Sequence, residues 1–382
     1  MTRVSINESV LRWALERSGR SGVIERKFPK LSEWLESQSQ PTLHQLEEFA
    51  QATSTPLGYL FLPEPPEERL PIPYLRTLDD QPLRRPSTEL LETVQTMERR
   101  QAWMRDYLIE QGHEPLGFVR SARLTEKPEH LAREMRRTLG LPEGWAGEQP
   151  TWTAALRELQ SEIEEAGILV VVSSVVGNNT HRRFDPTEFR GFVLVDEYAP
   201  LVFVNSADGK AAQMFTLAHE LAHVWLGTSA AFDLRDLQPA ADETEQACNR
   251  AAAEFLVPAA QLHELWPSIS RAPDRFSAVA RQFKVSDLVA ARRALDLGLI
   301  TKQDFLGFYE GYQQQQHRKP KGREGGNFYT TQTLRLGRYF AEAVVRAARE
   351  GTLLYREAYQ LTGLCGKTFD RYAQSLSFGN QA

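Results

Sequence analysis

His219, Glu220 and His223 are the residues of this sequence best suited to do chemistry. Two imidazoles four positions apart on a helix lie one turn apart on one face, where both can donate to a single Zn²⁺ ion. A carboxylate directly after the first histidine is then placed to move protons on a water molecule. The stretch that carries them, Met214 to Gly227, reads as a helix. Phe215, Ala218, Leu221, Ala222 and Trp225 recur at helical spacing, no proline interrupts them, and Gly227 stands where a left-handed residue would end the helix. The plainer alternative is a buried helix whose histidines only satisfy hydrogen bonds. Average residue usage gives this pattern odds of roughly one in a hundred in a chain of this length.

Two histidines leave zinc one protein ligand short of the usual catalytic set, so a third donor has to come from another element. The stretch Asp242 to Pro258 reads as a second helix, with carboxylates in its first turn and a proline at its end. Glu245 and Asn249 lie four apart on one face of it, as a ligand and an orienting neighbour would.

These residues resemble those of the ImmA/IrrE-type metallopeptidases, a branch of the His-Glu-x-x-His zincins. The resemblance rests on His219-Glu220-Leu221-Ala222-His223, on Glu245-x-x-x-Asn249 and on Ala252-Ala253-Glu254-Phe255-Leu256-x-Pro258. It extends to Phe189-Arg190-Gly191-Phe192 and Pro200 to Asn205, and covers about Leu131 to Pro258. It implies that His219, His223 and Glu245 bind Zn²⁺ and that Glu220 is the general base. The activity implied is endopeptidase cleavage of a protein substrate such as a transcriptional repressor, by Glu-assisted attack of zinc-bound water on a peptide bond. A second reading makes the chain an antitoxin-like or transcriptional component of a toxin–antitoxin operon, with a partner-binding peptidase domain and an N-terminal domain on DNA.

Such a site needs strands ahead of its helix. Residues 167 to 173 form a β-branched run, and 192 to 196 with 201 to 204 read as a hairpin turning through 197 to 200. An extended peptide could add itself to an exposed edge of such a sheet beside the metal. His181, Arg182, Arg190 and Tyr198 are candidates for oxyanion-side donors, each equally at home as a surface residue. Cys248 adjoins the ligand face and reads more simply as a small buried hydrophobe.

The rest of the chain divides around this region. Residues 1–62 are read as a helical domain resembling the Xre/Cro-type helix-turn-helix fold, with helices over 5 to 15, 27 to 35 and 41 to 50. Arg26, Lys27 and Lys30 could touch phosphates, but Pro29, Glu33 and Glu36 stand where a DNA-reading helix wants other side chains. DNA binding and a helical protein-interaction role both fit. Residues 63–86 are a proline-rich linker, 87–260 the metallopeptidase domain and 261–382 a C-terminal helical domain. That last domain includes a helix over Thr333 to Glu350 and a basic loop over 317 to 326. The fold class expected is α+β, mainly helical, with a small sheet in the zincin-like domain.

The 382 residues suffice for two or three domains, and a formal net charge of −5 excludes bulk attraction to nucleic acid. Two cysteines make no disulfide framework, and no stretch approaches eighteen consecutive apolar residues. A cytoplasmic protein with no membrane partner is expected.

Overall fold

Several of the helices begin where the sequence offers a capping side chain. The computed structural model describes residues 3–68, 74–75, 86–228, 230–232, 242–316 and 327–378. The basic loop 317–326 and most of the proline-rich stretch lie outside these residues. The chain falls into two units, one of Met1–Pro71 with Gln81–Gln95, the other of Ile72–Asp80 with Thr96–Ala382.

In the first unit, α1 (Glu8–Arg17) starts on Asn7, whose side chain accepts the Ser9 N–H. Helices α2 (Ser21–Lys27) and α3 (Leu31–Leu35) follow. α4 (Leu43–Ala52) opens with a capping box between Thr42 and Gln45. Val10, Leu11, Ile24, Phe28, Leu31, Trp34, Leu46 and Phe49 form its core. The single helix expected over 27 to 35 is two, because Pro29 forces Phe28 out of the helical region, at φ −118° and ψ 82°.

The second unit is mainly helical around a small sheet. After the short β1 (Tyr74–Leu75), α5 (Thr88–Glu110) spans the boundary between the units. Then come α6 (Pro128–Thr138), α7 (Trp152–Glu165), β2 (Leu169–Ser173), β3 (Val175–Val176) and β4 (Asn179–Arg183). β5 (Gly191–Leu194) and β6 (Leu201–Asn205) form the expected antiparallel hairpin, with Phe192 opposite Phe203 and their rings stacked. Next are α8 (Lys210–Leu226), β7 (Ala230–Phe232) and α9 (Glu243–Leu256). The sheet order is β1-β7-β5-β6-β2, with β2 parallel to β6 and β7 antiparallel to β5. Strands β2, β5 and β6 are buried throughout, as apolar runs covered on both faces must be.

Helices α10 (Ala259–Ile269), α11 (Arg275–Phe283), α12 (Asp287–Asp296) and α13 (Lys302–Gln316) continue from α9. Phe276, Val279, Phe283 and Val289 of α11 and α12 share one hydrophobic core with Leu217, Leu221 and Trp225 of α8. The chain closes with α14 (Phe328–Leu336), α15 (Arg338–Glu350), α16 (Tyr355–Thr362) and α17 (Gly366–Phe378). The helix expected over Thr333 to Glu350 is therefore broken. Gly337 sits at φ +81° with ψ 134°, which no helix tolerates, and a Cβ there would lie 2.8 Å from the Val170 carbonyl. No described helix is long and apolar enough to cross a membrane.

Candidate metal centre

Helix α8 is buried from Gln213 to Trp225, so its two histidines project into protein and not into water. It ends at Gly227, in the left-handed region at φ +76°, where a Cβ would collide with the Arg120 side chain. Helix α9 packs against α8 and starts at Asp242, whose carboxylate accepts the N–H groups of Thr244 and Glu245. Glu245 thus sits in the first turn, where the helix dipole favours its negative charge.

The packing of the two helices brings His219, His223 and Glu245 together, with potential ligand atoms all within 4.8 Å of one another. The two Nε2 atoms are 3.1 Å apart, and they stand 3.1 and 3.3 Å from the two carboxylate oxygens of Glu245. The far side of each ring is tied down. His219 Nδ1 lies 3.1 Å from Asn249 Oδ1, and His223 Nδ1 lies 2.8 Å from Thr228 Oγ1. An amide oxygen only accepts, so Asn249 favours the His219 tautomer with its proton on Nδ1, the one that leaves the Nε2 lone pair free for a cation.

All three groups are almost wholly shielded from solvent. Burial pushes the His219 imidazole toward its neutral form, against the pull of Glu245. Burial also acts to raise Glu245, but the two imidazoles facing it outweigh this and bring it down to about 2. The result is a buried, ionised carboxylate, neither oxygen of which has a well-directed hydrogen bond among the described residues. Facing it are imidazole nitrogens aimed at the same point. In the metal-free protein, ring protons on that side hold the carboxylate ionised. Once the Nε2 atoms are deprotonated, the lone pairs of both rings and of the carboxylate meet at one point, and a divalent cation is the partner that satisfies all of them. The donor set therefore fits Zn²⁺.

Glu220 is fully buried and its two oxygens find no hydrogen-bond partner among the described residues. Burial, and then the charge of Glu245, holds its carboxyl well above the usual range. A cation held by the triad would act in the opposite direction. Strand β5 passes close by, and a Cβ on Gly191 would lie 3.0 Å from Glu220 Oε1, 2.6 Å from Thr216 Cγ2 and 2.9 Å from the Phe203 carbonyl.

The remaining sequence candidates fall elsewhere. Arg190 pairs with Asp208 at 3.4 Å, Tyr198 stands in the turn between β5 and β6, and His181 and Arg182 lie on the hairpin strand β4. Cys248 is buried in the core, its thiol pushed up by burial and by the carboxylates around it. Glu254 is tied to the buried Arg293 and accepts the Ala259 N–H at 3.2 Å, away from the triad. β5, the strand beside Glu220, offers no free edge to an extended peptide. Both edges of β5 are paired, to β6 and to β7, and Gly191, next to Glu220, lies opposite Phe232 of β7. Two contributors escaped the sequence reading. Gly191 was visible as part of a motif but had no role, and Thr228, five residues past His223 and outside the helix, carried no signal at all.

Residues 163–295, which include every residue of this site, match the family model of the IrrE N-terminal-like domain, a peptidase family. Residues 336–375 match the model of a domain of unknown function, DUF8813. Comparison with curated proteins returns no match.

Proposed function

We propose, from the IrrE N-terminal-like match and the geometry of the triad, that this chain is a zinc-dependent regulatory endopeptidase. Its substrate is a protein such as a transcriptional repressor, and it acts in the cytoplasm. The observation that carries the reading is the convergence of His219, His223 and the ionised Glu245 at one buried point, with the carboxylate of Glu220 on the next residue of the same helix. His219, His223 and Glu245 would hold the ion. Zn²⁺, when bound, polarises a peptide carbonyl and makes water more acidic.

The chain's own residues do the rest. Glu220 accepts a proton from the attacking water as its oxygen bonds to the carbonyl carbon. When the C–N bond breaks, Glu220 hands that proton to the leaving amine nitrogen. Asn249 holds His219 in the tautomer that leaves Nε2 free. Gly191 lets strand β5 run close enough to Glu220 to keep bulk water from it. In the N-terminal unit, Arg26, Lys27 and Lys30 are exposed and could touch DNA phosphates, a role that the salt dependence of binding would test.

Purified protein should hold about one Zn²⁺ per chain, and His219→Ala or His223→Ala should strip it. Co-expressed with the regulator encoded beside it, wild type should cleave that regulator. Glu220→Gln should keep zinc and fold yet lose about 10²–10⁴ in rate. Equal zinc loading in wild type and the histidine variants would remove the ligand set. Undiminished cleavage by Glu220→Gln would remove the general base. A phenotype that survives Glu220→Gln but is lost on deletion of residues 1–62 would leave the antitoxin-like reading in place of the enzymatic one.

A further inference from the structure

We infer that Thr228 is a positioning residue for the metal centre, fixing the tautomer and the ring orientation of His223. The inference deepens the metallopeptidase reading and rests on it.

The two histidines need the same service and receive it from different parts of the fold. His219 has Asn249, four residues past Glu245 on α9, at 3.1 Å from its Nδ1. His223 has Thr228 Oγ1 at 2.8 Å from its Nδ1. A hydroxyl can donate or accept, so the contact by itself leaves the tautomer open. The surroundings decide it. His223 Nε2 faces His219 Nε2 at 3.1 Å and Glu245 Oε1 at 3.3 Å, and a ligating nitrogen there must offer a lone pair. With a cation held at Nε2, the ring proton sits on Nδ1, and Thr228 Oγ1 is the atom in place to accept it.

The backbone is built to deliver this hydroxyl. Gly227, at φ +76°, turns the chain back over the end of α8, and the N–H groups of Gly227 and Thr228 both donate to the His223 carbonyl, at 2.8 and 3.1 Å. Two hydrogen bonds anchor Thr228 to the backbone of the residue whose side chain it holds. As a β-branched residue it has a stiff χ1, so little freedom is lost in presenting Oγ1. Valine in its place would keep the shape and leave the buried Nδ1–H without an acceptor. The ring is then free to rotate or to move its proton to Nε2, and in that tautomer it cannot ligate.

The test is metal affinity of the full chain, measured with Zn²⁺ against a competing chelator, together with the visible spectrum of the Co²⁺-loaded protein. Thr228→Val is expected to weaken Zn²⁺ binding by about 10–100-fold and to alter the Co²⁺ bands, while Thr228→Ser restores affinity to within about threefold of wild type. In the Zn²⁺-loaded full chain, ¹⁵N spectra of the histidine rings should show a His223 Nδ1–H that is hydrogen-bonded and slow to exchange in wild type, and shifted and fast to exchange in Thr228→Val. Thr228→Ala, smaller and without the hydroxyl, should behave like Thr228→Val.

Thr228→Val and Thr228→Ala binding Zn²⁺ within about threefold of wild type would overturn the inference. Failure of both to fold while Thr228→Ser folds would overturn it too, by assigning the residue to the fold. His223→Ala separates the two levels of the argument. If it keeps wild-type affinity, the metal site itself is wrong. If it loses the metal while Thr228→Val does not, only the role of Thr228 falls.

Discussion

At the scale of single residues, the centre concentrates charge where water cannot reach, and that has consequences for the metal-free protein. Glu220 has its carboxyl raised by burial and by Glu245, so folding favours its protonated form. For a carboxyl raised in this way, the cost to stability is absent below its unfolded-state pKa and grows as pH rises through the folded one. Metal-free Glu220→Gln should therefore be more stable than metal-free wild type at pH 7, by up to about 1.4 kcal/mol for each pH unit above the ordinary glutamate value, because only the carboxyl carries this linkage cost. The difference should vanish near pH 4, where an ordinary glutamate is about half protonated. Urea unfolding at the two pH values checks it, and a Glu220→Gln protein that is less stable at pH 7 would contradict the burial argument.

Glu245 behaves in the opposite sense. Held down to about 2 by the imidazoles, it contributes stability above the ordinary carboxylate range that is lost as pH falls toward 2. Glu254, nine residues along the same helix, has a purely structural task, because it neutralises the buried Arg293. Glu254→Ala should cost about 3–5 kcal/mol by leaving that guanidinium unpaired. The fraction that folds should still bind zinc, as metal analysis of the folded fraction would show.

Among the elements, α8 and α9 present the ligands, and β5 sets how closely the sheet approaches them. Gly191 is the point of closest approach, with no room for a methyl group between Thr216, the Phe203 carbonyl and Glu220. Gly191→Ala should destabilise the protein by about 1–3 kcal/mol, the range for an overpacked core. It should also lower hydrolysis by displacing Glu220, with zinc content retained. Thermal unfolding beside a zinc assay separates the two effects, and an Ala variant with unchanged melting and activity would show that the strand can give way.

Over the whole molecule, the core that holds the triad does not stop at α9. Phe276, Val279, Phe283 and Val289 pack into the cluster that contains Leu217 and Trp225, and Arg293 Nε donates to the Val257 carbonyl at 3.0 Å. Trp152 Nε1 donates to the Val285 carbonyl at 3.0 Å, closing the same core from the other side. The family match, running to residue 295, covers these helices too. A chain ended after residue 260 keeps every proposed ligand but loses this packing and leaves Glu254 unpaired. It should fail to fold or to bind zinc, which circular dichroism and metal analysis would report. A folded, zinc-loaded fragment would place the core boundary earlier than the packing does.

The sequence by itself determined what local rules can carry. Histidines four apart, an apolar stripe and a glycine stop specify helix α8 and its ligand face, because a 3.6-residue period needs no knowledge of the rest of the chain. Two apolar runs around the turn at 197 to 200 likewise specify the β5–β6 hairpin, and Thr42 with Gln45 specify the start of α4. The tertiary structure decided what depends on meetings between distant segments. It brought Glu245 to the two histidines. It laid β7 along one edge of β5, and cut the helix expected over 333 to 350 at Gly337, where the Val170 carbonyl leaves no space for a side chain. None of these has a period or a neighbour in sequence, since each is fixed by contact across the core and by the backbone angle that contact requires.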